Sequence, residues 1–376
     1  MHIVIVGSAY PLRGGIATFV ERLAEYLMEI GHRVTIYSYA LQYPGFLFPG
    51  KTQYSEEPGN DQLHIETKIN SINPFNWLRV GKELKALKPD LILVKYWMPF
   101  FAPALGTIFR KVRKNKHTRI IAILDNVLPH EQRPGDHMLS RYFLHSLDGA
   151  VSMSKSVTDD LRALHETLPC VFAPHPVYDN FGEPVSRADA LERLGLDPEK
   201  KYLLFFGFIR KYKGLDLLLE AMADPRIRDT DIRLVVAGEY YTDESYYKEL
   251  IGKLGIRDQL LLFTDFIPND EVRYYFSACD VVVQPYRTAT QSGISQIAYH
   301  FGKPMIVTNV GGLPEIVPDG KVGYVVAPEP GEIAAAIWDI MQEGRADSFR
   351  AGIAEEKKKY EWSAFVEKIM AMKDDL

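Results

Sequence analysis

Cysteine is almost missing from this chain. Only Cys170 and Cys279 occur in 376 residues, far apart and without metal-ligand spacing, which excludes a disulfide framework and fits a reducing cytoplasm. Long apolar runs are missing as well. None reaches membrane-spanning length, and MHIVIVG at the start turns polar after a few residues, too short for a signal-peptide core. A cytoplasmic protein is expected, with any membrane contact peripheral at the inner face. A basic excess is lacking too: the formal net charge of -5 weighs against a generally basic nucleic-acid binder, so no nucleic-acid partner is expected. Low-complexity segments and residue-level repeats are absent. So is the G-x-G-x-x-G spacing of a dinucleotide site: the loop SAYPLRGG carries Gly14 and Gly15 at a helix start, but not in that pattern.

What is present is alternation. His2 to Val6 reads as a strand, and Ile16 to Ile30 places Ile16, Phe19, Val20, Leu23 and Leu27 at helical spacing. Further strands are predicted at Val34 to Tyr37, Leu63 to Glu66, Leu91 to Val94, Ile120 to Leu124 and Ala150 to Met153. Helix-like segments separate most of them. The Pro-rich and turn-rich stretch around Cys170 to Glu183 reads as a hinge. A second series follows, with strands at Tyr202 to Phe206, Leu234 to Ala237, Leu260 to Phe263, Val281 onward and Tyr324 to Val326. The chain is longer than one core usually grows. The predicted fold class is therefore α/β, with two doubly wound domains at 1–178 and 179–355. An amphipathic helix closes the chain over 356–376, its Trp362, Phe365, Ile369 and Met372 facing one way.

The segment Val281 to Val307 organises the second half: a strand, a polar turn, a helix and another strand. Its turn holds Thr288, Thr290, Gln291, Ser292 and Gly293, and the helix start offers unpaired N–H groups to an anion. An ordinary Ser-capped helix would read the same way. A second loop, GFIRKYKG, sets Arg210, Lys211 and Lys213 beside Gly207 and Gly214 just after a strand, which suits a diphosphate. The pair of loops is more specific than either alone.

In the first half, DNVLPHEQRPGDH follows a strand end and gathers Asp125, Asn126, His130 and Glu131, able to orient or deprotonate an acceptor hydroxyl. The helices carrying Arg79, Lys82, Lys85 and Lys88, and RKVRKNKHTR, form a basic face suited to anionic lipid head groups or a pyrophosphate-linked substrate. A solvated helix end would look alike. Aromatics in YPGFLFPG and YWMPFFAP suit a lipid-linked glycan, or pack beneath neighbouring loops.

The succession PLRGGIATFVERLAEYL, DNVLPHE, FFGFIRKYKGLDLLLEAM, ACDVVVQPY and TQSGISQIAYHFGKPMIVTNVGGLPEIV, with a closing Trp-containing helix, resembles the retaining family-4 glycosyltransferases of GT-B fold over nearly the whole chain. The resemblance implies two Rossmann-like domains facing across a donor cleft, the first binding an acceptor and the second a nucleotide sugar. It implies that Arg210 and Lys213 neutralise the donor's diphosphate, helped by Gly207, by amides near Ser292, Gly293 and Ile294, and by Gly14 and Gly15 from the other domain. With Arg and Lys in that role no metal and no cofactor is expected.

Two family glutamates are absent. Counting from Pro285 to Pro304 places Ala289 and Ile297 at their positions, leaving Gln291 and Gln296 as the nearest substitutes. Asp125 stands where a histidine often follows its strand, so His130 is assigned an acceptor-side role. Glu315 in GGLPEIV matches the family. The expected reaction is transfer from a nucleoside-diphosphate sugar, UDP favoured over GDP, to a glycan or lipid-linked acceptor hydroxyl with retention, in polysaccharide or glycolipid assembly. An epimerase of the same fold and a non-catalytic nucleotide-sugar binding protein are the rival readings. The first would alter the donor without an acceptor, and the second would release no nucleotide.

Overall fold

The computed structural model describes residues 1–45, 52–55, 58–129, 133–289 and 292–376. The chain divides into two compact units, one formed by Met1–His175 with Trp362–Leu376 and the other by Pro176–Glu361.

The first unit runs β1 (His2–Val6), α1 (Gly15–Glu29), β2 (Arg33–Leu41), β3 (Ile65–Asn70), α2 (Pro74–Leu87), β4 (Leu91–Tyr96), α3 (Ala102–Val112), β5 (Arg119–Leu124), α4 (Asp136–Leu144), β6 (Gly149–Ser152), α5 (Lys155–Leu164) and β7 (Cys170–Phe172). The strands lie in the order β3-β2-β1-β4-β5-β6-β7, all parallel. Buried Val and Ile runs such as VIV in β1 and LILV in β4 are what a sheet covered on both faces demands. The order reverses between β1 and β4, so the loops after these strands flank a crevice at their carboxyl ends. The closing helix Trp362–Asp375 lies against β5, β6 and β7, and its Trp362 and Phe365 rings meet Phe19 of α1 at 5.3 and 5.9 Å.

The second unit runs α6 (Arg187–Leu194), β8 (Lys201–Phe206), α7 (Leu215–Met222), β9 (Ile232–Ala237), β10 (Leu260–Phe263), β11 (Val281–Gln284), β12 (Met305–Thr308) and β13 (Gly323–Val326), with further helices between strands. Its order, β10-β9-β8-β11-β12-β13, repeats the winding of the first and reverses between β8 and β11.

Two expectations shift. The first part of the expected hinge is β7, paired to β6 through Ala150, Val151 and Ser152, because a short edge strand needs little apolar sequence to hold it. The strand sought at Leu63 to Glu66 lies two residues later, over Ile65–Asn70, since its outer residues are polar and its register on β2 slips around Tyr39. The units divide at His175/Pro176 and at Glu361/Trp362, where the sequence placed boundaries at 178 and 355.

Candidate functional site

In the second unit the loop after β8 and the turn after β11 stand side by side at the reversal between those strands. After β8 the chain turns at Gly207 (φ +96°) and tightens into a single 3-10 turn over Lys211–Lys213, closed by the Lys213 N–H donating to the Arg210 carbonyl at 2.9 Å. Gly214 (φ +66°) then opens α7. A Cβ there would lie 2.0 Å from the Pro285 carbonyl oxygen, so only glycine lets the loop after β8 touch the turn after β11. The two are locked by the Arg287 N–H donating to the Tyr212 carbonyl at 2.7 Å and by an Arg287–Asp216 ion pair at 2.7 Å.

Lys213 is bent back over this junction. Its Nζ lies 2.9 Å from where a Cβ on Gly207 would sit, a point that the Ile294 Cδ1 reaches at 3.4 Å, and 5.6 Å from the centre of the buried Tyr286 ring. Gly207, Lys213 and Ile294, from three places in the sequence, thus share one spot. Burial, with the neighbouring Arg210 charge, pushes the Lys213 ammonium down to about 8. A cation held at such a cost is stabilised by an incoming anion. Arg210 leans on Tyr241, its guanidinium 5.1 Å from the ring centre.

The turn after β11 ends at the helix Gly293–His300. Ser292 occupies the capping position, yet its hydroxyl bonds no N–H of the first turn and instead approaches the Tyr286 hydroxyl at 3.4 Å. The helix is therefore not the ordinary Ser-capped one, and its first N–H groups have no side-chain cap among the described residues. Gly293 packs under Tyr178, with a Cβ position 2.9 Å from the ring. Behind the turn, the Ala289 carbonyl accepts the Gly312 N–H at 3.3 Å, and Gly311 (φ +51°) passes so close that a Cβ would be 1.4 Å from that carbonyl.

Other expected residues fall differently. Gln291 and His130 lie outside the described residues. Gln296 is fully enclosed, with neither end of its amide hydrogen-bonded among the described residues, so no ligand reaches it in this arrangement. Ile297 is buried in the core and Ala289 serves through its backbone, so neither side chain stands in for a glutamate. Glu315 is exposed on a short helical turn, Leu313–Ile316. The sequence also holds one Asp-x-Asp triplet, Asp229-Thr230-Asp231. It precedes β9 at the amino ends of the strands, away from the loops just described, and the Asp231 carbonyl accepts the Lys201 N–H.

In the first unit Gly14 (φ +111°) and Gly15 form the exposed start of α1 beyond β1. Asp125, just past β5, is bound by an ion pair that sequence reading missed: Lys95 Nζ lies 2.9 Å from its Oδ1. Lys95 itself is buried, 3.5 Å from the centre of the Phe19 ring, and burial lowers its pKa while Asp125 raises it. The backbone at Gly7 fits against this lysine, with a Cβ position 3.2 Å from Lys95 Cβ. The aromatics of YWMPFFAP turn inward: Trp97 donates to the Tyr43 hydroxyl at 2.9 Å, and Phe101 is buried between Tyr39, Tyr43 and Trp97.

Comparison with known proteins gives the lineage of this arrangement. A family model described as Glycosyltransferase Family 4 matches residues 13–177, and one described as Glycosyl transferases group 1 matches residues 186–360. D-inositol 3-phosphate glycosyltransferase 1 of Catenulispora acidiphila is 28% identical over 299 residues, covering 75% of this chain and 71% of that protein. Among solved structures, sucrose-phosphate synthase of Thermosynechococcus elongatus superposes with a TM-score of 0.74 at 18% identity, over 100% of this chain and 98% of that one. Anabaena HepE, in complex with UDP and glucose, does so with a TM-score of 0.72 at 16% identity over 100% of both chains. These likenesses carry the fold, GT-B, and the two family models carry the rest: the chain belongs to the glycosyltransferases, with a Family 4 first half and a group 1 second half.

Proposed function

We propose that the protein transfers a sugar from a nucleoside-diphosphate sugar, a UDP-sugar first among them, to an acceptor hydroxyl with retained anomeric configuration and without a metal. The observation that carries this is Lys213, a half-buried cation pressed against Gly207 and Ile294 beside a helix start without a side-chain cap. As the bond between the sugar's anomeric carbon and the β-phosphate oxygen breaks, negative charge gathers on the departing diphosphate. Lys213, Arg210 and the first N–H groups of the helix Gly293–His300 stabilise that charge most where it is largest. The acceptor oxygen bonds to the anomeric carbon from the same face, and its proton passes to a leaving-phosphate oxygen. Asp125, held by Lys95 at the carboxyl end of β5, is the first unit's polar group suited to binding an acceptor hydroxyl.

HepE's complex with UDP and glucose supports UDP as the first donor to try, and the inositol phosphate relatives support a hydroxyl acceptor in a phosphorylated polyol. One feature favours a non-catalytic nucleotide-sugar binding protein instead: Ala289 and Ile297 offer no side-chain hydrogen bond where the family has glutamates. Incubation with UDP- and GDP-sugars, with and without an acceptor panel, separates the readings. Transfer yields free nucleotide and a new glycoside whose anomeric signal in NMR matches the donor's. Inverted product overturns retention, and donor altered without acceptor indicates epimerisation. Binding without nucleotide release overturns transfer.

A further inference from the structure

The outer side of the first unit's helical layer carries a feature that the site above does not use. Between Ile72 and His117 the chain holds nine lysines and arginines besides the buried Lys95, against two acids, Glu83 and Asp90, in a protein whose net charge is -5. Both acids are engaged, Glu83 by Lys68 and Tyr37, Asp90 by His117 and the His2 N–H. By contrast Arg79, Lys82, Lys88 and Lys114 are exposed and form no ion pair among the described residues. Residues 75, 79 and 82 follow one stripe of α2, with 78 beside it.

At the amino-terminal end of that stripe the surface becomes apolar. Phe75 is 84% exposed, Ile72 50% and Leu78 48%. This is not a frayed end: Asn73 caps α2 by accepting the Phe75 and Asn76 N–H groups, Pro74 fills the first turn, and the Trp77 indole donates to the Asn70 carbonyl at 2.7 Å. A phenylalanine held rigidly in water costs free energy that only an apolar partner returns. Met138, 70% exposed, sits at the corresponding end of α4, across α3, whose Arg110 lies on the Tyr142 ring at 3.8 Å. Helices begin where parallel strands end, so this apolar rim is on the same side of the sheet as Asp125.

We propose that this face docks on an anionic lipid bilayer, with Ile72, Phe75 and Leu78 entering the headgroup boundary and the unpaired cations of α2 held over the lipid phosphates. Cations behind an apolar tip are what an interfacial helix presents to a charged membrane. A nucleic acid would satisfy the cations and leave Phe75 in water; a second copy of the chain would set the cations against one another. The proposal goes beyond the transfer reading, because docking needs no donor, and its failure leaves that reading as it stands. It would bring a lipid-linked hydroxyl to the carboxyl ends of the first unit's strands.

Co-sedimentation of the full chain with vesicles tests it. The chain should pellet with equimolar phosphatidylcholine and phosphatidylglycerol, stay in solution with phosphatidylcholine alone, and be released in part at high salt. Phe75→Ser with Leu78→Ser should lower the partition at least about tenfold, and Arg79→Gln with Lys82→Gln roughly thirtyfold. These side chains are exposed, so unchanged circular-dichroism melting is expected for both variants. Equal binding to both vesicle types, or variants that bind as the parent does, overturns the proposal. So does retention on duplex DNA in place of vesicles, or a vesicle-free dimer that the Phe75 and Leu78 changes dissolve.

Discussion

Two lysines, one in each unit, carry the least ordinary single-residue chemistry of the chain. Lys213 titrates near 8 in the free protein because burial and Arg210 disfavour its charge. A bound diphosphate favours the charged form, so affinity for UDP should fall as pH rises through about 8, by roughly tenfold between pH 7 and 9. Calorimetry in matched buffers at the two pH values checks this, and a flat profile assigns the diphosphate elsewhere. Lys95 is the harder case. Removing its partner by Asp125→Ala leaves a buried cation unpaired and should cost about 3–5 kcal/mol in urea unfolding, more than Lys95→Met, because Asp125 is partly open to water and can hydrate. Lys95 binds its proton less tightly folded than unfolded. The unfolded state then holds more protons between the two pKa values, so the Asp125→Ala deficit should shrink as pH is raised. A deficit that grows with pH contradicts the pairing. The two lysines also differ in legibility. Lys213 stood beside glycines after a strand, a local pattern; Lys95 closed an apolar strand, and its partner thirty residues on can be seen only when β4 and β5 pair.

At the scale of elements, glycine geometry decides where the loops can meet. Gly214 and Gly311 adopt positive φ and press on backbone carbonyls, at positions where a Cβ would come within 2.0 and 1.4 Å. Either residue changed to Ala should destabilise the second unit by at least roughly 1–3 kcal/mol, read from thermal melting. It should also weaken nucleotide binding, since the turn carrying Ser292 is braced by these contacts. Normal stability and binding in Gly311→Ala would show that the brace is dispensable. Strand runs such as VVVQ and LILV and the helix Leu215–Met222 were legible from apolar periodicity. β7 was not, and β3 was expected two residues early, because edge strands are held by a neighbour's hydrogen bonds more than by their own burial. The freedom of Ser292 from capping was equally invisible: a serine before a helix reads as a cap whether or not its hydroxyl turns away.

At the scale of the molecule, two units repeat one winding, and the chain's last helix belongs with the first unit. Trp362, Phe365, Ile369 and Met372 are all buried, and the amphipathic stripe that needed a partner finds it on β5–β7 and Phe19. Phe365→Ala should therefore lower the first unit's stability by about 3–5 kcal/mol while nucleotide binding to the second is kept. Chemical unfolding followed alongside UDP affinity reads both, and loss of UDP binding at native conditions would contradict the division. The central claim is that Lys213, with Arg210 and the open helix start, is where the donor's diphosphate binds. Calorimetric titration of UDP into the parent chain and into Lys213→Ala tests it most directly. The account expects the variant to bind roughly ten- to a hundredfold more weakly with its melting in the absence of nucleotide not lowered; equal affinity in the two proteins would contradict it.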